Sequence, residues 1–318
     1  MIKSIFRKRR FKKNTIILIM TALVIFVAMT VNFSTDKVIP TWHNIFASLG
    51  LSDISSCSYS DDMQVHFLAV GKADAIFIKC KDKNVLIDAA DVDNTDKVVE
   101  YLNRHDVKKL DLVVVTHPHR DHIGQMSKVV RKFDIDKFIM PRVPDAIKPT
   151  SKTYEKLLLS LKDRNIKASL PNQGEQIELG DMRINILSVS KEYDNINNYS
   201  IVLQICYGEE KFLFMGDAEK EAERDIMRQD YNLGSTVLKV GHHGSLTSST
   251  KEFLDKVRPQ YAVICVGPDR SNLPKDATLK KLNKVCSNVL RTDKDGTIIL
   301  STNGKGIHVY TEKRGVLN

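Results

Sequence analysis

Two hydrophobic patterns divide the chain. Residues 15–33 (TIILIMTALVIFVAMTVNF) are nineteen positions without a charge. As a helix they would span roughly 28 Å, close to the thickness of a bilayer's hydrocarbon layer. From Met63 the pattern changes to short apolar runs bounded by turn residues. These predict strands over 63–70, 75–80, 84–89, 110–116 and 137–141. Further strands are predicted over 182–189, 199–207, 211–215, 236–241, 261–266, 288–291, 297–301 and 306–311. Helical spacing appears at 96–104, 124–133, 152–164, 218–229, 249–257 and 276–285. Blocks of strands alternate with the longer helices. That arrangement fits two sheets with helices on their outer faces better than a single doubly wound sheet. The expected organisation is a basic tail (1–14), a transmembrane anchor (15–33), a Ser-rich linker (34–60) and one hydrolase-sized domain (61–318).

Charge orients the anchor. The formal net charge is +9, and residues 1–13 carry seven basic residues and no acid. The remainder is near +2, so the basic balance does not mark a nucleic-acid-binding face on the body. By the positive-inside rule the tail stays cytoplasmic and everything after Asp36 lies outside. This predicts a single-pass protein of the cell membrane with an extracellular catalytic domain. A cleaved signal peptide is the rival reading, although no small-x-small cleavage site follows the apolar run. An apolar content of 42% and a charged content of 27% exclude a disordered or collagen-like chain. A slightly negative mean hydropathy excludes a wholly membrane-embedded one. The five cysteines form no CxxC pair, which argues against a zinc knuckle.

Five of the nine histidines fall in two short clusters, THPHRDHIG (His117, His119, His122) and LKVGHHGS (His242, His243). Each follows an apolar strand, where α/β enzymes place their sites. In an extended segment His117, His119 and Asp121 point to one side, and His122 follows as the chain turns into a helix. Imidazoles and carboxylates in this density suit zinc, manganese or iron. Asp217, in FLFMGDAE, stands at the end of another apolar strand. Alone it could be a helix cap; beside two histidine clusters it reads as a bridging carboxylate.

HPHRDH, GDAE and KVGHHGS, in this order, resemble the metallo-β-lactamase superfamily, and more closely the hydrolase domain of the ComEC competence proteins. FLAVGKADAIFI, NVLIDAA, NNYSIVLQI and TDKDGTIIL are similar to other segments of that domain, so the resemblance covers about residues 63–311. It implies an α/β (α+β) fold, an αββα sandwich, with two divalent metal ions, zinc or manganese, between the sheets. It implies His117 and His119 on one metal, Asp121 and His122 on the other, and Asp217 between them. His242, which follows its strand first, is expected to complete the second site, and His243 to support the ligands or act on the substrate. Asp121 and His243 are the expected catalytic residues; Asn198, Ser200 and Ser245 are expected to contact substrate. Many members place a further histidine before the bridging Asp, but residues 123–216 contain none. The first metal is therefore expected to be weakly held, or absent.

Such cations acidify water and stabilise charge on substrate oxygens, which suits in-line attack on a phosphodiester. The leading expectation is a phosphodiesterase or nuclease acting on extracellular DNA. The alternatives are a phosphocholine esterase or other small-ester hydrolase at the cell surface, and a non-catalytic surface protein retaining the fold.

Overall fold

The computed structural model describes residues 62–317, apart from 93–95, 189–190 and 269. The tail, the anchor and the linker expected from the sequence lie outside the described residues. Among the described residues no helix is long and apolar enough to cross a membrane.

The chain builds one sheet, then a second, then returns to the first. Strands β1 (Met63–Phe67), β2 (Ile76–Cys80), β3 (Lys83–Ile87), β4 (Lys109–Val114), β5 (Asp134–Ile139) and β6 (Ala168–Ser169) lie in the first sheet. The second takes β7 (Gln176–Leu179), β8 (Met182–Ile186), β9 (Leu203–Tyr207), β10 (Glu210–Phe214), β11 (Val237–Lys239), β12 (Tyr261–Ile264) and β13 (Asn288–Arg291). Strands β14 (Ile298–Thr302), β15 (His308–Thr311) and β16 (Gly315–Leu317) complete the first sheet, in the order β16-β15-β14-β1-β2-β3-β4-β5-β6. There β14 pairs antiparallel with β1, from Met63 opposite Thr302 to Phe67 opposite Ile298.

Each sheet begins with antiparallel strands and ends with parallel ones, β3 to β6 in the first and β10 to β13 in the second. Parallel neighbours need crossovers, and helices supply them. In the first sheet these are α1 (Lys97–Arg104), α2 (Arg120–Ile123), α3 (Met126–Lys132) and α4 (Lys152–Asp163). In the second they are α5 (Lys220–Met227), α6 (Lys251–Val257) and α7 (Asp276–Val285). Local chemistry sets their starts: the Ser151 side chain caps α4 by accepting from the Tyr154 amide, and Thr250 caps α6 through the Phe253 amide.

Alternation along the strands produces three apolar layers. Val85, Ile87, Leu112 and Val114 face inward and meet Ile184, Ile205, Phe212 and Phe214 of the second sheet. Leu86 and Val113 face outward onto Val98, Leu102, Val129 and Leu157 of the helices. Leu238 and Ala262 of the second sheet meet Ile226, Phe253 and Leu282. Burial of one such side chain contributes about 1.5–3 kcal/mol. The result is the expected mixed α/β sandwich with helices outside both sheets.

Two local readings need correction. The strand expected over 199–207 begins only at Leu203; Ile196–Tyr199 form a 3-10 turn. The cause is a connection to the other sheet, where the Ile201 amide donates to the Thr116 carbonyl at 2.8 Å. Strands β6, β7 and β16 were not expected. They are edge segments of two to four residues, only partly buried, and even the alternating QIEL of β7 is too brief to stand out.

Candidate metal centre

The chemistry-bearing residues gather where strands of both sheets end. His117, His119, Asp121 and His122 follow β4; Asp217 follows β10; His242 and His243 follow β11. His119 keeps an extended backbone (φ −73°, ψ 153°) as the residue before α2, so Asp121 and His122 fall in the helix's only turn. Gly216 adopts φ +53°, and a Cβ there would come within 2.9 Å of Thr116 Cβ. Only glycine lets the second sheet's loop approach this closely, which brings Asp217 beside His117.

The two oxygens of Asp217 face different histidines. Oδ1 lies 3.4 Å from His122 Nε2 and 3.7 Å from His243 Nε2, while Oδ2 lies 3.9 Å from His117 Nε2 and 3.7 Å from His242 Nε2. His243 Nε2 is also 3.5 Å from Asp121 Oδ2. Asp121, His122 and His243 form one close group of possible ligands, and His117, His122 and Asp217 another. His119 Nδ1 stands 3.0 Å from His117 Nε2.

The remaining ring nitrogens are held from behind. His122 Nδ1 is 2.8 Å from Asp88 Oδ2, and the same carboxylate accepts from the Thr116 amide and hydroxyl. His243 Nδ1 is 2.8 Å from the Cys265 carbonyl oxygen. These partners leave both Nε2 atoms facing Asp217, the arrangement that orients imidazole ligands. His242 and His243 both have left-handed backbones, at φ 47° and 51°. Such φ values are uncommon outside glycine and cost roughly 1–2 kcal/mol per residue; the surrounding loop holds the strain.

Burial works against every charge here, and the partners decide the outcome. Burial opposes the His122 imidazolium, yet Asp217 and Asp88 hold its pKa well above the ordinary value. His243 is likewise raised, against burial, by Asp217 and Asp121. Burial opposes ionisation of Asp121, but His243 and His122 hold its carboxyl far below the usual range. His117 goes the other way: burial first, then repulsion from His122, lowers it.

His122 Nε2, His243 Nε2 and Asp217 Oδ1 are buried and have no hydrogen-bond partner. Leaving a buried polar atom unsatisfied costs about 1–3 kcal/mol. Three such atoms converge here, two imidazole nitrogens and a carboxylate oxygen, and this donor set fits a divalent cation.

The structure brings His117, His119, Asp121, His122, Asp217, His242 and His243 together, with one exchange of place. The sequence reading set His242 beside Asp121 and His122, but His243 occupies that position. His242 lies on the other side of Asp217, partly exposed, with Nδ1 3.1 Å from both Thr247 Oγ1 and Glu219 Oε1. The left-handed turn reverses the order in which the two rings meet the cluster. The side chains expected to contact substrate are each engaged within the protein. Ser200 is buried, and its hydroxyl accepts from the Asp217 amide and lies 3.4 Å from His117 Nδ1. Asn198 is buried and its Oδ1 accepts from the Glu219 amide. Ser245 Oγ meets Thr247 Oγ1 at 3.1 Å and so supports the partner of His242.

Sequence reasoning missed Asp88, Glu219 and a fully buried pair, Lys239 Nζ to Asp74 Oδ2 at 2.7 Å. Asp88 had a signal: an acid closing an apolar run, NVLID. Lys239 had none, because it interrupts the apolar run TVLKV as any surface lysine might. A cavity of about 640 Å³ reaches Asn198 and Ile201, on either side of Ser200, but none of the clustered histidines and acids lines it. Arg142, Lys191, Tyr193, Tyr199, Asn198 and Ile201 are among its lining residues.

A family model for the metallo-beta-lactamase superfamily matches residues 68–267. ComE operon protein 3 of Bacillus subtilis is 30% identical over 203 residues, covering 63% of this chain and 26% of that protein. Recombination protein 2 of Haemophilus influenzae is 28% identical over 243 residues, covering 74% of this chain and 28% of that protein. The chain thus spans little more than a quarter of the length of these relatives. Among solved structures, CmlA, a diiron beta-hydroxylase from Streptomyces venezuelae, superposes with a TM-score of 0.53 at 14% identity. That match covers 76% of this chain and 54% of CmlA, and it shows the fold alone.

Proposed function

The chain belongs to the metallo-β-lactamase superfamily and is related to the hydrolase domain of competence proteins; from this premise we propose that it is a metal-dependent phosphodiesterase, a nuclease acting on extracellular DNA. The observation that carries the reading is the two-sided Asp217, with imidazoles of His122 and His243 at one oxygen and of His117 and His242 at the other. Paired cations on a shared carboxylate suit in-line displacement at phosphorus. The names of two relatives, Recombination protein 2 and Competence protein ComA, support DNA as the substrate. The cavity that reaches Asn198 and Ile201 carries Arg142 and the rings of Tyr193 and Tyr199 in its lining, groups of the kind that contact a phosphate backbone and stack on bases.

In this reading Asp121, His122, His243 and Asp217 would hold one cation, zinc or manganese, and His117, His119 and Asp217 would hold a second. When bound, such cations supply Lewis acidity and lower the pKa of water toward about 7. The chain's own residues do the rest. Asp88 and the Cys265 carbonyl hold His122 and His243 in one orientation. Asp121, partly exposed at the edge of the cluster, orients the attacking water. His242 is held at Nδ1 by Glu219 and Thr247, which leaves its Nε2 as an acceptor on the Asp217 side of the cluster.

Assay of the purified full-length protein on single-stranded DNA and on phosphocholine esters, with manganese and with zinc, tests the proposal. Cleavage of DNA is expected. Turnover of phosphocholine esters alone would move the activity to small headgroups, for which a body charge near +2 is also suited. Inertness on both, with metal bound, would sink the proposal.

Two further outcomes follow from the same reading. The seven basic residues ahead of residues 15–33 set the catalytic body outside the cell. Protease added to intact cells is expected to remove the body and spare the tail; a protected body, under conditions that digest a known external protein, overturns this topology. The cation sites are unequal. Asp121, His122 and His243 gather closely, whereas His119 is half-buried and no histidine occurs between 123 and 216 to join it. Fewer protein ligands mean weaker holding. Dialysis against a mild chelator is expected to remove one ion first, counted by elemental analysis. Simultaneous loss of both ions would contradict the inequality.

A further inference from the structure

We infer that Lys72 is an anion-binding residue of this centre, its ammonium taking a non-bridging oxygen of the bound phosphodiester. This rests on the phosphodiesterase reading above. Lys72 Nζ donates to Asp121 Oδ2 at 3.1 Å, the same oxygen that lies 3.5 Å from His243 Nε2. The side chains are 28% and 17% exposed, so the ammonium stands on the open side of the cluster.

The loop that carries Lys72 is firmly placed. The Asp74 amide donates to the Asp121 carbonyl at 3.1 Å, and the Ala90 amide donates to the Asp74 carbonyl at 2.8 Å. On the other side the Gly71 backbone packs against Gly267 so closely that a Cβ on Gly267 would come within 2.5 Å of Gly71 Cα. The lysine is therefore presented from a fixed backbone, and its flexible stem supplies the reach.

Neighbouring cations are committed elsewhere. Lys239 is fully buried against Asp74. Arg120 is drawn to Asp91, at 2.8 Å from Nε and 2.9 Å from Nη2. A part-exposed pair such as Lys72 and Asp121 adds about 0–1 kcal/mol to stability, so the fold has little use for it. An ammonium held beside the carboxylate that faces the reacting group has a clear use. Lysine binds phosphate oxygens as a point charge, and fixed charge is most effective where negative charge develops. When Asp121 shares its charge with a cation, Lys72 transfers its hydrogen bond to the phosphate oxygen that arrives beside it.

The test compares full-length wild type, Lys72→Met and Lys72→Arg, each loaded with manganese and its content measured. Calorimetry reads the affinity for inorganic phosphate. Steady-state kinetics read bis(p-nitrophenyl) phosphate and, as an uncharged control, p-nitrophenyl acetate. For Lys72→Met the phosphate Kd and the phosphodiester KM are expected to rise about tenfold, the scale of one lost charge-assisted hydrogen bond. Manganese content and the KM for the neutral ester are expected to hold, and Lys72→Arg to keep most of the phosphate affinity. A phosphate Kd within about twofold of wild type, or a manganese loss that accounts for the change, overturns the inference. If wild type cleaves only the neutral ester, the phosphodiester reading falls, while the phosphate affinities still decide the role of Lys72.

Discussion

Asp121→Ala is expected to lower kcat/KM by at least about a hundredfold, because loss of a mere supporting partner of a metal ligand already costs 10–100-fold. The fold should survive. The Asp121 side chain reaches Lys72 at 3.1 Å and His243 at 3.5 Å, and it is the backbone carbonyl, which any residue supplies, that accepts from the Asp74 amide. Removing a carboxylate that His243 and His122 hold in its charged form also leaves two imidazoles facing Asp217 alone. Manganese binding is therefore expected to weaken along with turnover. Thermal unfolding and metal content measured beside the kinetics separate chemistry from folding. Wild-type rates in this variant would remove Asp121 from the site.

Asp88 is expected to matter nearly as much, through both stability and metal binding. It is fully buried and serves the Thr116 amide, the Thr116 hydroxyl and His122 Nδ1 at once. Asp88→Ala strands these groups, and a loss of about 3 kcal/mol in unfolding free energy is expected. Asp88→Asn is the sharper variant. Its amide oxygen can still accept from the Thr116 amide, but its NH₂ group offers His122 Nδ1 a donor where a carboxylate oxygen stood. The imidazole would then turn its protonated nitrogen toward Asp217. Metal affinity is expected to fall about 10–100-fold with a far smaller change in stability. Equal metal affinity in Asp88→Asn and wild type would show that the orientation of His122 is set elsewhere.

The layered fold was legible because its signals are local. Apolar runs of four to six residues ending in turns gave the strands, and the spacing of LLLSLKD and its relatives gave the helices. The edge strands were hidden by their brevity: in QIEL the apolar Ile177 and Leu179 do face the core, but four residues are too few to stand out. At the centre, the histidine clusters announced themselves by density and by position after strands. What the sequence could not convey was direction. Whether His242 or His243 meets Asp121 depends on two successive left-handed residues, a backbone choice that no spacing rule anticipates. Lys239 and Asp74 are 165 positions apart and join only when the two sheets close. Asn198 and Ser200 were read as substrate contacts from their motif, but their polar atoms brace the loop that carries Asp217 and Glu219.

The pairing of β1 with β14 also bears on how the protein is made. Residues 63–67 enter the sheet at its middle, yet their partner on one side is residues 298–302. A growing chain can form β2 to β6 and even the whole second sheet while β1 still shows a bare edge of unpaired amides and carbonyls. Such an edge is a template for pairing with other chains, and contacts of long sequence separation form slowly. The clasp closes only after residues 298–302 have been delivered, so a chain truncated before Ile298 is expected to aggregate. The half-made sandwich is the stage at which this protein most needs a chaperone.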